Sequence, residues 1–156
     1  MTFYLLLKTL HILSSTLLFG TGLGSAYYAW RAWRRGQVAT IATTFRHLVA
    51  ADWLFTTPTA ILQPLSGLAM VHLGGWPLGQ HWLLVTLVLY VLAGLCWLPV
   101  VWLQLRMADM AEAAAAANEA LPPHYWRYAR LWERLGYPAF VAMLAIFFLM
   151  VLKPTF

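Results

Sequence analysis

Four apolar runs, over residues 3–30, 48–72, 82–105 and 135–152, constrain this chain more than any other feature of its sequence. Each offers roughly the 17–25 residues that a helix needs to cross a bilayer. Inside hydrocarbon a backbone must satisfy its own polar groups, so four such runs predict an all-α, four-helix membrane bundle forming one domain over residues 1–156. Composition agrees: 62% of residues are hydrophobic, 10% are charged and mean hydropathy is +0.70, far from the profile of a soluble domain. The shortest run, YPAFVAMLAIFFLMVL, is also the cleanest. The first is too long, and too poor in small-residue cleavage patterns, to be a signal peptide, and is read as a retained span.

Basic residues orient the bundle. Arg31, Arg34, Arg35 and Arg46 fall between the first and second spans, and Arg106, Arg127, Arg130 and Arg134 between the third and fourth, whereas the connection from His72 to His81 has neither Lys nor Arg. Cytoplasmic loops retain such charges, so both termini are expected outside. The net charge of +5 is then topological: the bilayer is the partner it implies, not nucleic acid. Trp30 and Trp33 suit an interfacial anchor beside the arginines. The alanine-rich ADMAEAAAAANEAL prolongs the third helix until Pro122 and Pro123 stop it. HYWRYARLWERLGY then reads as a short cytoplasmic interfacial helix between helices 3 and 4, and Lys153 can snorkel to the outer headgroups.

Polar residues inside the spans carry the functional signal, because each is expensive in lipid. Lys8 and His11 share a face of the first span, on a stripe continuing through Ser15, Leu18, Gly22 and Ser25 that predicts an inward side. The second span repeats the pattern with Asp52, Thr56, Thr59, Gln63 and Ser66. Pro58 and Pro64 bend it, with Thr and Gln side chains expected to take up the freed carbonyls, and Asp52 is expected to pair with Arg46 or another nearby arginine. His47 reads as a solvated interfacial residue. On the third span Thr86, Tyr90, Gly94, Trp97 and Gln104 share a rough face, Pro99 adds a kink, and Cys96 reads as a small buried hydrophobe. The GxxxG-like pair Gly20 and Gly24 admits close helix contact, within one chain or in a homodimer. No phosphate loop, dinucleotide fingerprint, nucleophile elbow or paired Cys motif is present. An inward imidazole in a membrane four-helix bundle is a common way to hold b-type haem, which makes His11 the leading candidate ligand.

Several segments carry a family resemblance. KTLHILSSTLLFGTGL resembles the opening of the HemJ-type bacterial protoporphyrinogen oxidases, with its K-x-x-H and following small residues. TTPTAILQPLSGL, HWLLVTLVLYVLAG and the closing YPAF and VLKP resemble their second, third and fourth helices. ADWLFTTPTAILQPLSG, CWLPVVWLQ and the Lys-Pro end together look still more like a related, uncharacterised family of predicted integral membrane proteins, and both are similar to the membrane domain of CopD-type copper resistance proteins. The resemblance implies a bacterial inner-membrane protein binding haem b, with His11 at the family's histidine ligand position and Lys8 beside it. The lysine that serves those oxidases as proposed second ligand is replaced here by Thr86, which cannot ligate iron as an amine does. His81, just over one turn earlier, is the alternative second ligand.

Three functions compete. A haem b redox protein would oxidise a porphyrinogen-like substrate or pass electrons to quinone or an external partner. A copper-handling protein would use Met70, His72 and His81, whose thioether and imidazoles suit that metal. A cofactor-free assembly subunit would use Lys8 and His11 as internal partners of the second span's polar seam.

Overall fold

The computed structural model describes residues 2–154. Among them there is no strand, and four helices are long and apolar enough to cross a membrane: α1 (Thr2–Arg35), α2 (Val38–Leu73), α3 (His81–Ala117) and α4 (Pro123–Leu152). Most of their Leu, Val and Phe side chains point outward, as lipid-facing surfaces require. Gly36, at φ +69°, reverses the chain between α1 and α2, a backbone conformation that costs a side-chain-bearing residue energy. Asn118 ends α3 in the same left-handed region, and Pro122 precedes α4.

The sequence HYWRYARLWERLGY is not a separate interfacial helix. It forms the first half of α4, continuous with the last span. Its aromatic face has a protein partner: Tyr125, Ala129 and Trp132 are buried against Phe45 of α2 and against Leu103 and Met107 of α3. These residues, with Ala29, Ala32, Ile41 and Ala111, make the main core, at the end of the bundle that carries the arginines. Trp33 Nε1 donates to the Tyr125 hydroxyl at 3.0 Å within it. Alanines at 108, 111 and 114 let the backbones come close on the extension of α3. Outside this core Arg46 pairs with Glu112 at 2.6 Å, an exposed contact of small energetic weight.

Away from the basic end the helices separate. α1 continues along the second half of α2, and α4 along α3, whereas α2 packs on α3 mainly through Val38–Ala51. A small cluster of Val71, Trp82 and Leu83 rejoins the helices at the far end, where Lys153 lies over the Trp76 ring at 4.5 Å. Between the two clusters the bundle is open.

Both α2 prolines are accommodated locally. Asp52–Thr56 forms a π turn, and the Thr57 N–H reaches back to the Asp52 carbonyl, so one extra residue is absorbed just before Pro58, which has no N–H. Thr59 donates its hydroxyl to the Phe55 carbonyl, its own i−4 acceptor and not one that a proline frees, so the expected Thr and Gln rescue is not what this bond provides. At Pro64 the solution comes from another helix: the freed Ala60 carbonyl accepts the Tyr90 hydroxyl of α3. Tyr90→Phe should therefore lower stability by about 1–3 kcal/mol, the cost of an orphaned buried acceptor. Thermal unfolding in detergent will check this, with the outward-facing Val88→Ala as the reference.

Candidate functional site

His11 lies in a polar seam between α1 and α2. Its Nδ1 is 2.7 Å from Ser66 Oγ, and its Cε1 lies 3.4 Å from where a Cβ on Gly67 would stand, so the ring rests on that glycine. Ser66 has one hydroxyl proton, and the Leu62 carbonyl sits 2.6 Å from its oxygen. With that proton given to Leu62, Ser66 accepts from His11 Nδ1–H, and the lone pair is assigned to Nε2. Gln63 closes the seam below, donating to the His11 carbonyl at 2.9 Å and to Ser14 Oγ.

The inward face of α1 thus runs through His11, Ser14 and Ser25 to Ala29 and Ala32. Ser15 is only half-buried. Lys8, one turn before His11, is exposed and is not drawn into the seam, because a long amine can stay outside where an imidazole can pack. Gly20 and Gly24 have nothing within 4 Å of an added Cβ, so they make no tight contact inside the chain.

Thr86 is buried on α3, and its hydroxyl donates to the Trp82 carbonyl at 2.8 Å. His81, the first residue of α3, is exposed. α1 and α3 share no packed interface, so Lys8 and His11 are not brought into contact with Thr86 and His81. His72 is exposed like His81, and among the described residues no three His, Cys, Asp or Glu side chains converge on a metal-sized site. His47 is exposed, and Cys96 is buried and free.

A second polar cluster lies nearer the basic end. Asp52 is 8% exposed and takes its hydrogen bonds from neutral donors: Thr56 Oγ1 at 2.7 Å and Gln104 Nε2 at 2.8 Å. Gln104, 2% exposed, accepts in turn from Trp132 Nε1 at 3.0 Å. The expected pairing of Asp52 with Arg46 does not occur. The helix between them is regular, and six residues at about 100° each leave the two side chains about 120° apart, so Asp52 turns inward to Gln104 while Arg46 reaches the exposed Glu112. Every buried side-chain nitrogen and oxygen among the described residues has a partner. This chain of hydrogen bonds borders a cavity of about 840 Å³ between the separated helices.

Residues 5–154 match the family model described as "Predicted integral membrane protein (DUF2269)". The chain belongs to this family. No curated protein and no solved structure matches it, so the likeness of this DUF2269 protein to HemJ-type oxidases and to CopD rests on the quoted motifs alone. The family description and the helices agree that it is a multi-pass integral membrane protein.

Sequence reading alone missed the residues that organise both clusters. Ser66 was placed on the α2 seam but not matched to His11, and Gln104 was placed on a face of α3 but not matched to Asp52. The signal for each was present in weak form, since an amide or hydroxyl in an apolar span needs a partner. Which partner depends on how the helices are rotated, and the π turn sets that rotation.

Proposed function

We infer that this membrane protein binds haem b through His11 and acts in electron transfer. One observation carries the reading: His11 Nδ1 lies 2.7 Å from Ser66 Oγ, and with the Ser66 proton on the Leu62 carbonyl that contact assigns the lone pair to Nε2. Ligating histidines are fixed in this way, with the second ring nitrogen bonded to a supporting group that sets tautomer and orientation. Lys8, exposed one turn away, would offer a cation to a haem propionate. Haem bound here would supply one-electron chemistry.

The rest of the chain's chemistry favours electron exchange with a quinone or an external partner over porphyrinogen oxidation. Thr86 stands where the HemJ-type lysine would, and its hydroxyl is committed to Trp82. His81, which the sequence offers for a second axial position, is exposed at the start of α3 and is not brought to His11, so the reading rests on His11 as the one protein ligand. One observation favours a cofactor-free reading instead: Gln63 bonds both the His11 carbonyl and Ser14, which is also how a purely structural seam would be built.

Absorption spectra of protein purified after expression with a haem supply, oxidised and dithionite-reduced, decide between these. The expected result is a Soret band that shifts on reduction. Colourless, stable, helical protein would instead establish the structural seam. Within the haem reading, Ser66→Ala should raise the haem dissociation constant about 10–100-fold, the usual consequence of losing a supporting contact to a ligand. Haem titration into the apoprotein measures it.

A further inference from the structure

The cavity of about 840 Å³ lies within the size range of sites for small organic ligands, and its charge is unusual for this chain. The protein has five Asp and Glu against ten Lys and Arg. Yet the cavity walls include the carboxylates Asp52 and Glu133 and no Lys or Arg. Asp52 is 8% exposed and is bonded only by the neutral Thr56 and Gln104. A carboxyl group in an apolar interior is costly to ionise without a cation, so a cationic ligand is what would hold Asp52 in its charged form, and intramembrane acids of this kind mark binding or transport sites. Here the protein supplies no cation of its own.

The remaining wall is apolar and rich in aromatic rings, Tyr90, Trp97 and Trp132 among them, and Trp132 is tied to Asp52 through Gln104. Such faces attract cations through their ring quadrupoles. The cavity is also open sideways: Leu23, Leu95 and Leu98 on its walls are exposed to the surroundings of the bundle, where lipid lies. A ligand would therefore enter from the bilayer and must itself be lipophilic.

We propose that this cavity binds a lipophilic cation, an amine or onium with an apolar or aromatic body, whose charge is received by Asp52 with Glu133 as a secondary acid. The body lies along the rings of α3 and α4, and the Gln104–Trp132 chain holds the Asp52 carboxylate in place. His11 is not among the cavity walls, so the inference stands apart from the haem reading. The same charge pattern disfavours the cavity as a haem site, since haem propionates are anionic.

Tetraphenylphosphonium and its isosteric anion tetraphenylborate form the test, with equilibrium dialysis against the full chain in lipid nanodiscs and empty nanodiscs as the partition control. The wild type should bind the phosphonium saturably, one per chain, and take up the borate only as empty nanodiscs do. Asp52→Asn should weaken phosphonium binding about 30-fold or more, the scale expected on removing one partner of a buried charge pair, and Glu133→Gln by less. Gly94→Leu gives an independent arm. Gly94 lines the cavity and an added Cβ there meets nothing within 4 Å, and leucine favours helix over glycine, so this variant is expected to fold and to take up space in the site. It should abolish binding while leaving the thermal transition unchanged or raised. Saturable borate binding equal to that of the phosphonium, unchanged affinity in Asp52→Asn or in Gly94→Leu, or no saturable binding by the wild type would each overturn the proposal.

Discussion

His11→Ala is expected to abolish the Soret band of the purified protein and to leave its helical content intact. The substitution removes the imidazole that Ser66 holds in the α1–α2 seam, and with it the Nε2 nitrogen assigned to iron. The rest of the seam should persist, because Gln63 bonds to the backbone carbonyl of residue 11 and to Ser14, neither of which the change touches. Ser66 keeps its bond to Leu62, so no buried donor is stranded, and the stability cost should stay near 1–2 kcal/mol. The ring's place against Gly67 becomes a small void beside an oriented hydroxyl, a space that imidazole added to the medium can enter. Recovery of absorbance on titrating imidazole into His11→Ala would fix the ligand to this position. A Soret band undiminished in His11→Ala would place the ligand elsewhere and end the His11 assignment.

Phe45→Ala should destabilise the fold by about 3–5 kcal/mol, as expected for an aromatic side chain removed from a packed interior. Phe45 is fully buried, with its ring 5.7 Å from Trp33, 6.2 Å from Tyr125 and 6.3 Å from Trp132. Its ring meets residues of two other helices, α1 and α4, so its loss cannot be repaired by one rotamer change. The damage should also spread, because Trp132 carries the hydrogen bond to Gln104 and Gln104 supports Asp52. Thermal unfolding in detergent, read against Val88→Ala on the outward face, measures the effect. Equal shifts in the two variants would mean that the aromatic cluster is not the anchor of the bundle.

The architecture was legible in the sequence because a single force wrote it. Apolar length fixes where a chain can cross a bilayer, so the spans, the proline sites and the alanine-rich continuation of α3 could all be read from composition and spacing. The site was legible only in part. His11 was visible as an expensive residue in an apolar run, and it does meet a polar partner. Lys8 looked equally expensive but has a stem long enough to stay outside, so sequence spacing alone overstated how far it turns inward. Asp52 was expected to take an arginine because charge pairing is the commonest fate of a buried acid. The spacing itself argued against it, since residues six apart on a regular helix do not share a face. The amphipathic start of α4 likewise looked like a surface helix, since the sequence shows its aromatic stripe but not that Phe45, Leu103 and Met107 wait to cover it.

The π turn at Asp52–Thr56 has a further consequence for how α2 can vary. A turn of this kind holds one residue more than the helix on either side needs. Excising a single residue there would restore regular winding and keep both flanks in phase, whereas the same deletion elsewhere in α2 would swing everything after it by roughly 100°. Gln63 and Ser66 would then leave α1, and His11 would lose its support. Ahead of Gln63, a one-residue change of length in this helix is therefore best absorbed where the acid sits.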